Sequence, residues 1–240
     1  MLSYPQLAQF PIVKRARRRT VINRAPDGRS IKWTDPAGEV TEWELHYSEL
    51  TDDETSTLQK FFLAAEGALQ EFTFLDPTAN LLAWSGNLEE STWLKGPLLI
   101  VSGGQLTNTG GGAQRISQSI AGPPGYLYCF SAYISAAEPT AVTMFAGLET
   151  VDQVATAEWR RIRLTATVED PTFGLEIPAG GCVDVHGLQV EAQAGASAEQ
   201  ASTRGGVYEG ARLRDDTLAI ETTGVNSHSC TVNIVHAIHI

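Results

Sequence analysis

From residue 97 to residue 191 the chain is cut at short intervals by turn chemistry: Gly103-Gly104, Gly110-Gly111-Gly112, Pro123-Pro124-Gly125 and Pro178-Ala179-Gly180-Gly181. Proline fixes φ near the value a turn needs, and glycine accepts the positive φ that other residues avoid. The runs between these marks are short and rich in Val, Ile, Thr and aromatic residues. That combination constrains the segment to short antiparallel strands. The expected strands are residues 97–102, 114–120, 126–135, 142–148, 159–168, 173–177 and 182–191, and together they predict a β-sandwich or jelly roll.

The flanks read differently. Residues 2–10, with Pro5 inside them and Pro11 directly after, are expected to form an extended arm. Two strands are expected within residues 12–33, joined by the turn Ala25-Pro26-Asp27-Gly28, and Asp35-Pro36-Ala37-Gly38 repeats that turn chemistry. Trp43, Leu45 and Tyr47 then alternate with Glu42, Glu44 and His46, the period of a half-buried strand. Thr51-Asp52-Asp53-Glu54 is a capping box that starts a helix. Leu58, Phe61, Phe62, Ala65 and Leu69 follow at helical spacing, and Gly67 is its stop signal. Phe72-Thr73-Phe74-Leu75 is a strand. Residues 195–203 are small and polar and read as a linker. Beyond them Leu213, residues 218–220 and residues 230–240 suggest two or three more strands, with Val232, Ile234 and Ile238 as core positions. The fold class expected is therefore mainly β. Residues 1–79 and 205–240 form one discontinuous β-rich module with a single helix, and residues 80–204 form an inserted sandwich.

Charge and cysteine content narrow the function. The net charge of −11 argues against general nucleic-acid binding, which needs a positive surface. Lys14, Arg15, Arg17, Arg18 and Arg19 nevertheless fall within six positions. They are expected to contact a neighbouring subunit rather than DNA, and a charged edge also resists uncontrolled sheet pairing. Cys129, Cys182 and Cys230 are widely spaced and indicate neither a disulfide framework nor a zinc site. No apolar stretch is long enough for a membrane span, and the basic cluster follows the weakly apolar N-terminal segment instead of preceding it. Folding in a bacterial cytoplasm without export is the expectation.

Catalytic constellations are weak. Asp52, Asp53 and Glu54 sit where a helix start stabilises negative charge, which explains them without chemistry. Among His46, His186, His228, His236 and His239, the close pair His236 and His239 points to opposite faces of a strand and makes no metal pair. No nucleophile elbow and no phosphate loop is present. A glycosidase would need paired carboxylates on facing strands, whereas the acids here lie mostly at turns and the helix start. The expectation is no enzyme activity and no cofactor. Asp184, Glu191 and Asn80 carry the hard oxygens that a structural calcium takes, provided they converge. A sugar site needs an aromatic face flanked by polar groups. Along residues 126–135, Tyr128, Phe130, Ala132 and Ile134 share the core face, which leaves Tyr133 facing outward. Tyr133, with Gln118 and Arg115 as polar partners, is the expected carbohydrate-binding set. Trp93 and Trp159 are expected in the core.

The first segment resembles the distal tail proteins of siphophages and gene-transfer-agent particles. Tyr4-Pro5-Gln6-Leu7, the basic strand, Trp43-Glu44-Leu45-His46-Tyr47, the capped helix and Phe72-Thr73-Phe74-Leu75-Asp76-Pro77 carry the likeness. So do Leu218-Ala219-Ile220 and His228-Ser229-Cys230-Thr231-Val232. The middle segment resembles jelly-roll carbohydrate-binding-like modules of phage tail proteins, through Asn80-Leu81-Leu82, Trp93, residues 114–118 and 128–133, Trp159 and Gly187-Leu188-Gln189-Val190-Glu191. It departs from them where Ser-x-Tyr-x-Pro-Thr is common, since residues 197–203 lack the aromatic. The resemblance implies a virion structural protein, a homo-oligomeric ring and typically a hexamer, between tail-tube and tip-hub proteins. It also implies an outward sandwich that contacts host-surface glycans. The alternative is a free-standing glycan- or receptor-binding protein with no ring.

Overall fold

The computed structural model describes residues 2–7 and 10–237, the side chain of Pro36 excepted. It is mainly β, with one helix among the described residues. Ile238 and His239, expected in the core and in a strand, lie outside the described residues. The chain divides into two compact units, Met1–Phe74 with Tyr208–Ile240, and Leu75–Val207. Leu75 joins the core of the second unit and Val207 packs against it. The backbone bonds Asp76 N–H to Gly206 O and Gly206 N–H to Asn80 O hold its entry and exit segments side by side.

The first unit contains strands β1 (Leu2–Ser3), β2 (Ile12–Arg24), β3 (Ser30–Leu50) and β4 (Phe72–Leu75), with helix α1 (Asp52–Ala64) between β3 and β4. The second contains β5 (Leu94–Lys95), β6 (Leu99–Ser102), β7 (Gln105–Asn108), β8 (Gln114–Ser119), β9 (Tyr126–Ser135) and β10 (Thr140–Ala146), then β11 (Glu149–Ala155), β12 (Arg160–Val168), β13 (Thr172–Ile177) and β14 (Cys182–Glu191). Strands β15 (Val207–Leu213), β16 (Ile220–Gly224) and β17 (Ser227–Ala237) complete the first unit.

In the first unit the sheet runs β1-β4-β15-β17-β3-β2, with β16 on β17. Strand β17, from the far end of the chain, lies beside β3 from His228↔Leu50 to Ala237↔Val40. The alternation in β3 decides its faces: Trp43, Leu45 and Tyr47 are buried while Glu42, Glu44 and His46 point away from the core. An aromatic chain fills that core, with Trp43 against Phe74 and Tyr208, and Phe61 against Tyr4 and Phe72, all edge to face. Such pairs add to the area they bury. Tyr4 anchors the N-terminal arm, its hydroxyl 2.9 Å from that of Tyr47. Burial raises the pKa of both phenols.

The helix starts as its sequence demands. Thr51 Oγ1 accepts the Glu54 N–H at 3.2 Å and Glu54 Oε2 accepts the Thr51 N–H at 2.9 Å. The C-terminal segment holds both helix ends. At the start, Asn226 Oδ1 accepts the Asp52 N–H at 2.7 Å and His228 Nε2 lies 2.7 Å from Asp52 Oδ1. Past the end, Asp216 Oδ1 accepts the Ala68 N–H at 2.8 Å. Gly67 has φ +66°, and a Cβ there would lie 2.6 Å from that carboxylate oxygen. A left-handed backbone with no room for a side chain makes glycine the residue that fits. Leu69, expected on the buried face, is 59% exposed because the chain has already left the helix.

One expected turn of this unit is absent. Asp35-Pro36-Ala37-Gly38 does not reverse the chain. It forms a bulge inside β3, where the register passes from Arg17↔Val40 to Arg19↔Asp35. Strand β2 continues past it, so the chain rejoins the same ladder, and Asp35 Oδ1 caps the excursion by accepting the Ala37 N–H at 3.2 Å. Beyond the bulge, among the described residues, β3 pairs only with β2, giving a two-stranded ribbon that runs about 20 Å to the turn at Ala25-Pro26-Asp27-Gly28.

The second unit is a sandwich of two five-stranded sheets, β11-β10-β13-β8-β5 and β12-β9-β14-β7-β6. Tyr128, Phe130, Ala132 and Ile134 face the core between them, with Phe173, Leu175, Met144 and Trp93. The strand expected at 142–148 stops at Ala146, since Ala146 pairs with Glu149 across a tight hairpin and Leu148 is exposed. Residues 195–203 do not act as a free linker. They lie over the outer face of β12-β9-β14, held by Arg161 to Ser197 O, by Gln189 Nε2 to Ala198 O at 3.2 Å, and by the Gln200 N–H to Gln189 Oε1 at 2.7 Å.

Candidate binding site

The expected set of Tyr133, Gln118 and Arg115 does not come together. Tyr133 lies on β9, while Gln118 and Arg115 lie on β8 in the other sheet. Gln118 is buried, and its amide is used up by the main chain of Ala83, accepting its N–H at 2.7 Å and donating to its carbonyl at 2.9 Å. Arg115 donates to Glu176 at 2.6 Å and lies 5.0 Å from the Phe145 ring centre, roofing an aromatic against the sheet. Both are structural where they stand.

Tyr133 has different neighbours. In register, Arg161 on β12, Tyr133 on β9 and His186 on β14 form one row across the outer face. The His186 ring stacks on Tyr133, with centres 4.7 Å apart and planes 4° from parallel. The Arg161 guanidinium lies 5.5 Å from the Tyr133 ring. Trp159, just before β12, meets His186 edge to face at 4.6 Å and leaves 51% of itself in solvent. Its expected place in the core is therefore wrong. It precedes the strand proper, so the alternation that buries Ile162 does not bury it. Cys129 and Ser131, which share the outer face with Tyr133, are covered by the overlying segment and buried. On β9, Tyr133 stays partly exposed beyond the covered stretch.

Beside this aromatic row opens a cleft of about 300 Å³, whose lining includes Asn87, Glu89, Gly103, His186 and Glu199. Glu199 lies 3.3 Å from His186 Nδ1. It can come so close to β14 because Gly187 has φ +60° and no Cβ, which would lie 2.7 Å from the Glu199 carboxyl carbon. Glu89 Oε1 accepts the Gly103 N–H at 3.2 Å, fixing the opposite wall. An exposed indole thus stands next to a recess of carboxylate, amide and imidazole groups. That is an apolar platform with hydrogen-bonding partners at its rim.

The calcium expectation has no support in the geometry. Asn80 donates to Leu188 O and Gln200 O, Glu191 accepts from Ser197 N–H, and Asp184, at the other end of β14, accepts from Gln105. Among the described residues no group of three His, Cys, Asp or Glu side chains could hold a metal ion.

The basic run is also distributed differently. Arg15 and Arg17 pair with Glu44 and Glu42 at 2.7 and 3.1 Å, Arg19 with Asp35 at 3.5 Å, and Arg18 with Glu39 at 4.0 Å. Lys14 turns to the opposite face, 5.8 Å from the Trp43 ring and 5.9 Å from that of Tyr208. Strand β2 is thus laced to acidic residues of β3 from Arg15 to Arg19.

Sequence reasoning missed Trp159 and His186. The alternation of Val183 and Val185 inward puts His186 outward, a signal that was available. Its meeting with Tyr133 depends on the β9–β14 register, which one sequence does not give. No family model matches this chain, and no curated protein matches it. Among solved structures, a CBM4 structure is similar with a TM-score of 0.37 and 14% identity over 42% of this chain and 95% of that chain. The enzymatically active domain of bacteriophage CBA120 tailspike protein 4 is similar with a TM-score of 0.39 and 13% identity, over 49% of this chain and 22% of that one. A family 29 carbohydrate-binding module from Piromyces equi gives a TM-score of 0.32 and 10% identity over 42% and 80%.

Proposed function

We propose that the second unit binds a neutral saccharide on the face made by Trp159, His186 and Tyr133, without turning it over. We further propose that the first unit builds the chain into a ring at the tip of a phage-type tail. The observation that carries the saccharide reading is the half-exposed Trp159 indole beside the cleft walled by Glu89 and Glu199. A pyranose has an apolar face for the indole and a rim of hydroxyls for the carboxylates and imidazole. Weak binding at one face, repeated around a ring, gains strength by avidity. A glycan array probed with the wild-type chain and with Trp159→Ala tests the reading. Binding that falls about tenfold in the variant supports it, the loss expected when one aromatic stacking contact is removed. Absence of binding to any neutral glycan, or equal binding by the variant, rejects it.

The ring reading is favoured by the projecting β2–β3 ribbon, which exposes Ile22, Ile31 and Trp33 instead of burying them. Mass photometry of the purified chain tests it. Closed assemblies at a fixed multiple of 25.9 kDa support a ring, and monomers that still bind glycan point to a free-standing receptor-binding protein.

A further inference from the structure

The first unit carries two exposed apolar patches of opposite electrostatic character. One is on the outer end of the ribbon, where Ile31 and Trp33, 67% and 43% exposed, share one face, while Ile22, 49% exposed, lies on the other face opposite Lys32 in register. Between Lys14 and Glu44 the ribbon and its root hold eight basic and five acidic side chains in a chain whose net charge is −11. The inner arginines are matched by β3 acids, while no ion pair of Arg24 or Lys32, at the outer end, is found among the described residues. The other patch lies at the C-terminal end of α1. A groove of about 90 Å³ there is lined by Leu58, Phe61, Phe62 and Leu218, with Asp215 on its wall. Leu63 and Leu69, 73% and 59% exposed, extend the apolar surface past it, next to Glu66 and Asp216.

We infer that the ribbon end of one copy docks on the helix-end groove of a second copy of this chain. The inference rests on the ring reading and names the two surfaces that would make the joint. Apolar side chains on a net-positive ribbon meet an apolar groove whose rim carries Glu66, Asp215 and Asp216. Arg214 lies 3.5 Å from Asp215 and offsets part of that rim, which leaves Glu66 and Asp216 as its main negative groups. Apolar burial supplies the attraction, and charge sets partner and orientation. Because the two patches are unlike, the contact is heterologous. Each copy offers one ribbon and one groove, so the joints can close head to tail into a ring.

The test uses the full chain and neutral polar substitutions at exposed positions, which leave the core untouched. One variant carries Ile31→Asn with Trp33→Ser, and the other Leu63→Ser with Leu69→Ser. Circular dichroism and thermal melting verify that both fold like the wild type. Mass photometry and sedimentation then give the assembly state. In each variant the dissociation constant is expected to rise at least ~30-fold, the effect of losing an interface anchor. Mixing the two variants should restore one joint per pair, giving dimers and nothing larger, because one intact ribbon meets one intact groove. Assembly that persists in either variant, or a mixture that stays monomeric, overturns the docking while leaving a ring by another surface. A wild-type chain that remains monomeric at every accessible concentration overturns both.

Discussion

Replacing Asn80 by alanine should unfold the second unit several degrees earlier while leaving the first unit alone. Asn80 is fully buried and its amide is saturated. Its nitrogen donates to Leu188 O at 2.8 Å and Gln200 O at 3.0 Å, and its oxygen accepts the Leu82 and Val190 N–H groups, each at 3.1 Å. Alanine strands two carbonyls and two amides. A buried polar group left without a partner costs about 1–3 kcal/mol. A water entering the vacated space restores some of these bonds, so the net loss should be about 2–4 kcal/mol. Against a domain stability of roughly 5–15 kcal/mol that is a large part of the margin. For a unit of this size it lowers the melting temperature by about 8–15 °C. Differential scanning calorimetry gives the shift, and urea unfolding followed by tryptophan fluorescence gives the free energy. Asn80→Asp is nearly isosteric but turns a carboxylate toward the two carbonyls, and it should cost at least as much. A change below ~0.5 kcal/mol in both variants would refute the role given to this amide.

Other outcomes follow from burial and charge. Iodoacetamide near pH 8 should modify Cys182, which is exposed, and spare Cys129 and Cys230, whose thiols burial pushes up, that of Cys230 to about 11; equal labelling of all three in intact-mass spectra would contradict this. Burial raises Tyr126 to about 12 and holds Tyr4, Tyr47 and Tyr128 well above their ordinary value near 10. Below pH 10 both folded and unfolded chains keep these protons. Above it the unfolded chain loses them first, so stability falls as pH rises through 10 to 12. The tyrosinate absorbance at 295 nm of these four, out of six tyrosines, should then appear together with loss of circular dichroism, and titration of all six near pH 10 in a folded chain would argue against the burial. Gly67→Ala forces a left-handed backbone on a residue with a side chain and drives its Cβ against Asp216. It should cost the first unit at least ~1 kcal/mol in calorimetry and leave the second unit unmoved, and an unshifted first transition would show that the helix end tolerates the strain.

The parts legible in the sequence were those written in local chemistry. The capping box placed the helix start at Asp52, because its two reciprocal hydrogen bonds involve residues three apart. Strands β9 and β14 matched their expected limits, since each begins directly after a turn glycine. Failures came where a distant partner decides. Asp35-Pro36-Ala37-Gly38 has every mark of a reversal, yet β2 pairs on both sides of it and makes it a bulge. Residues 195–203 look like a linker because they are small and polar, and those same groups bind Arg161, Gln189 and Glu191 over a sheet. The sequence presents Gln118 as a free polar partner, but the main chain of Ala83, thirty-five residues away, consumes it. The candidate face was half legible. Tyr133 could be placed outward by alternation, whereas its meeting with His186 and Trp159 depends on register across three strands.

The most direct test of the saccharide face is to follow the indole N–H signals of the five tryptophans by NMR while a neutral oligosaccharide bound on the array is titrated in. The Trp159 signal is predicted to shift and saturate, with the buried indoles of Trp43 and Trp93 unmoved. Saturation confined to another tryptophan, or none in any, would contradict the assignment.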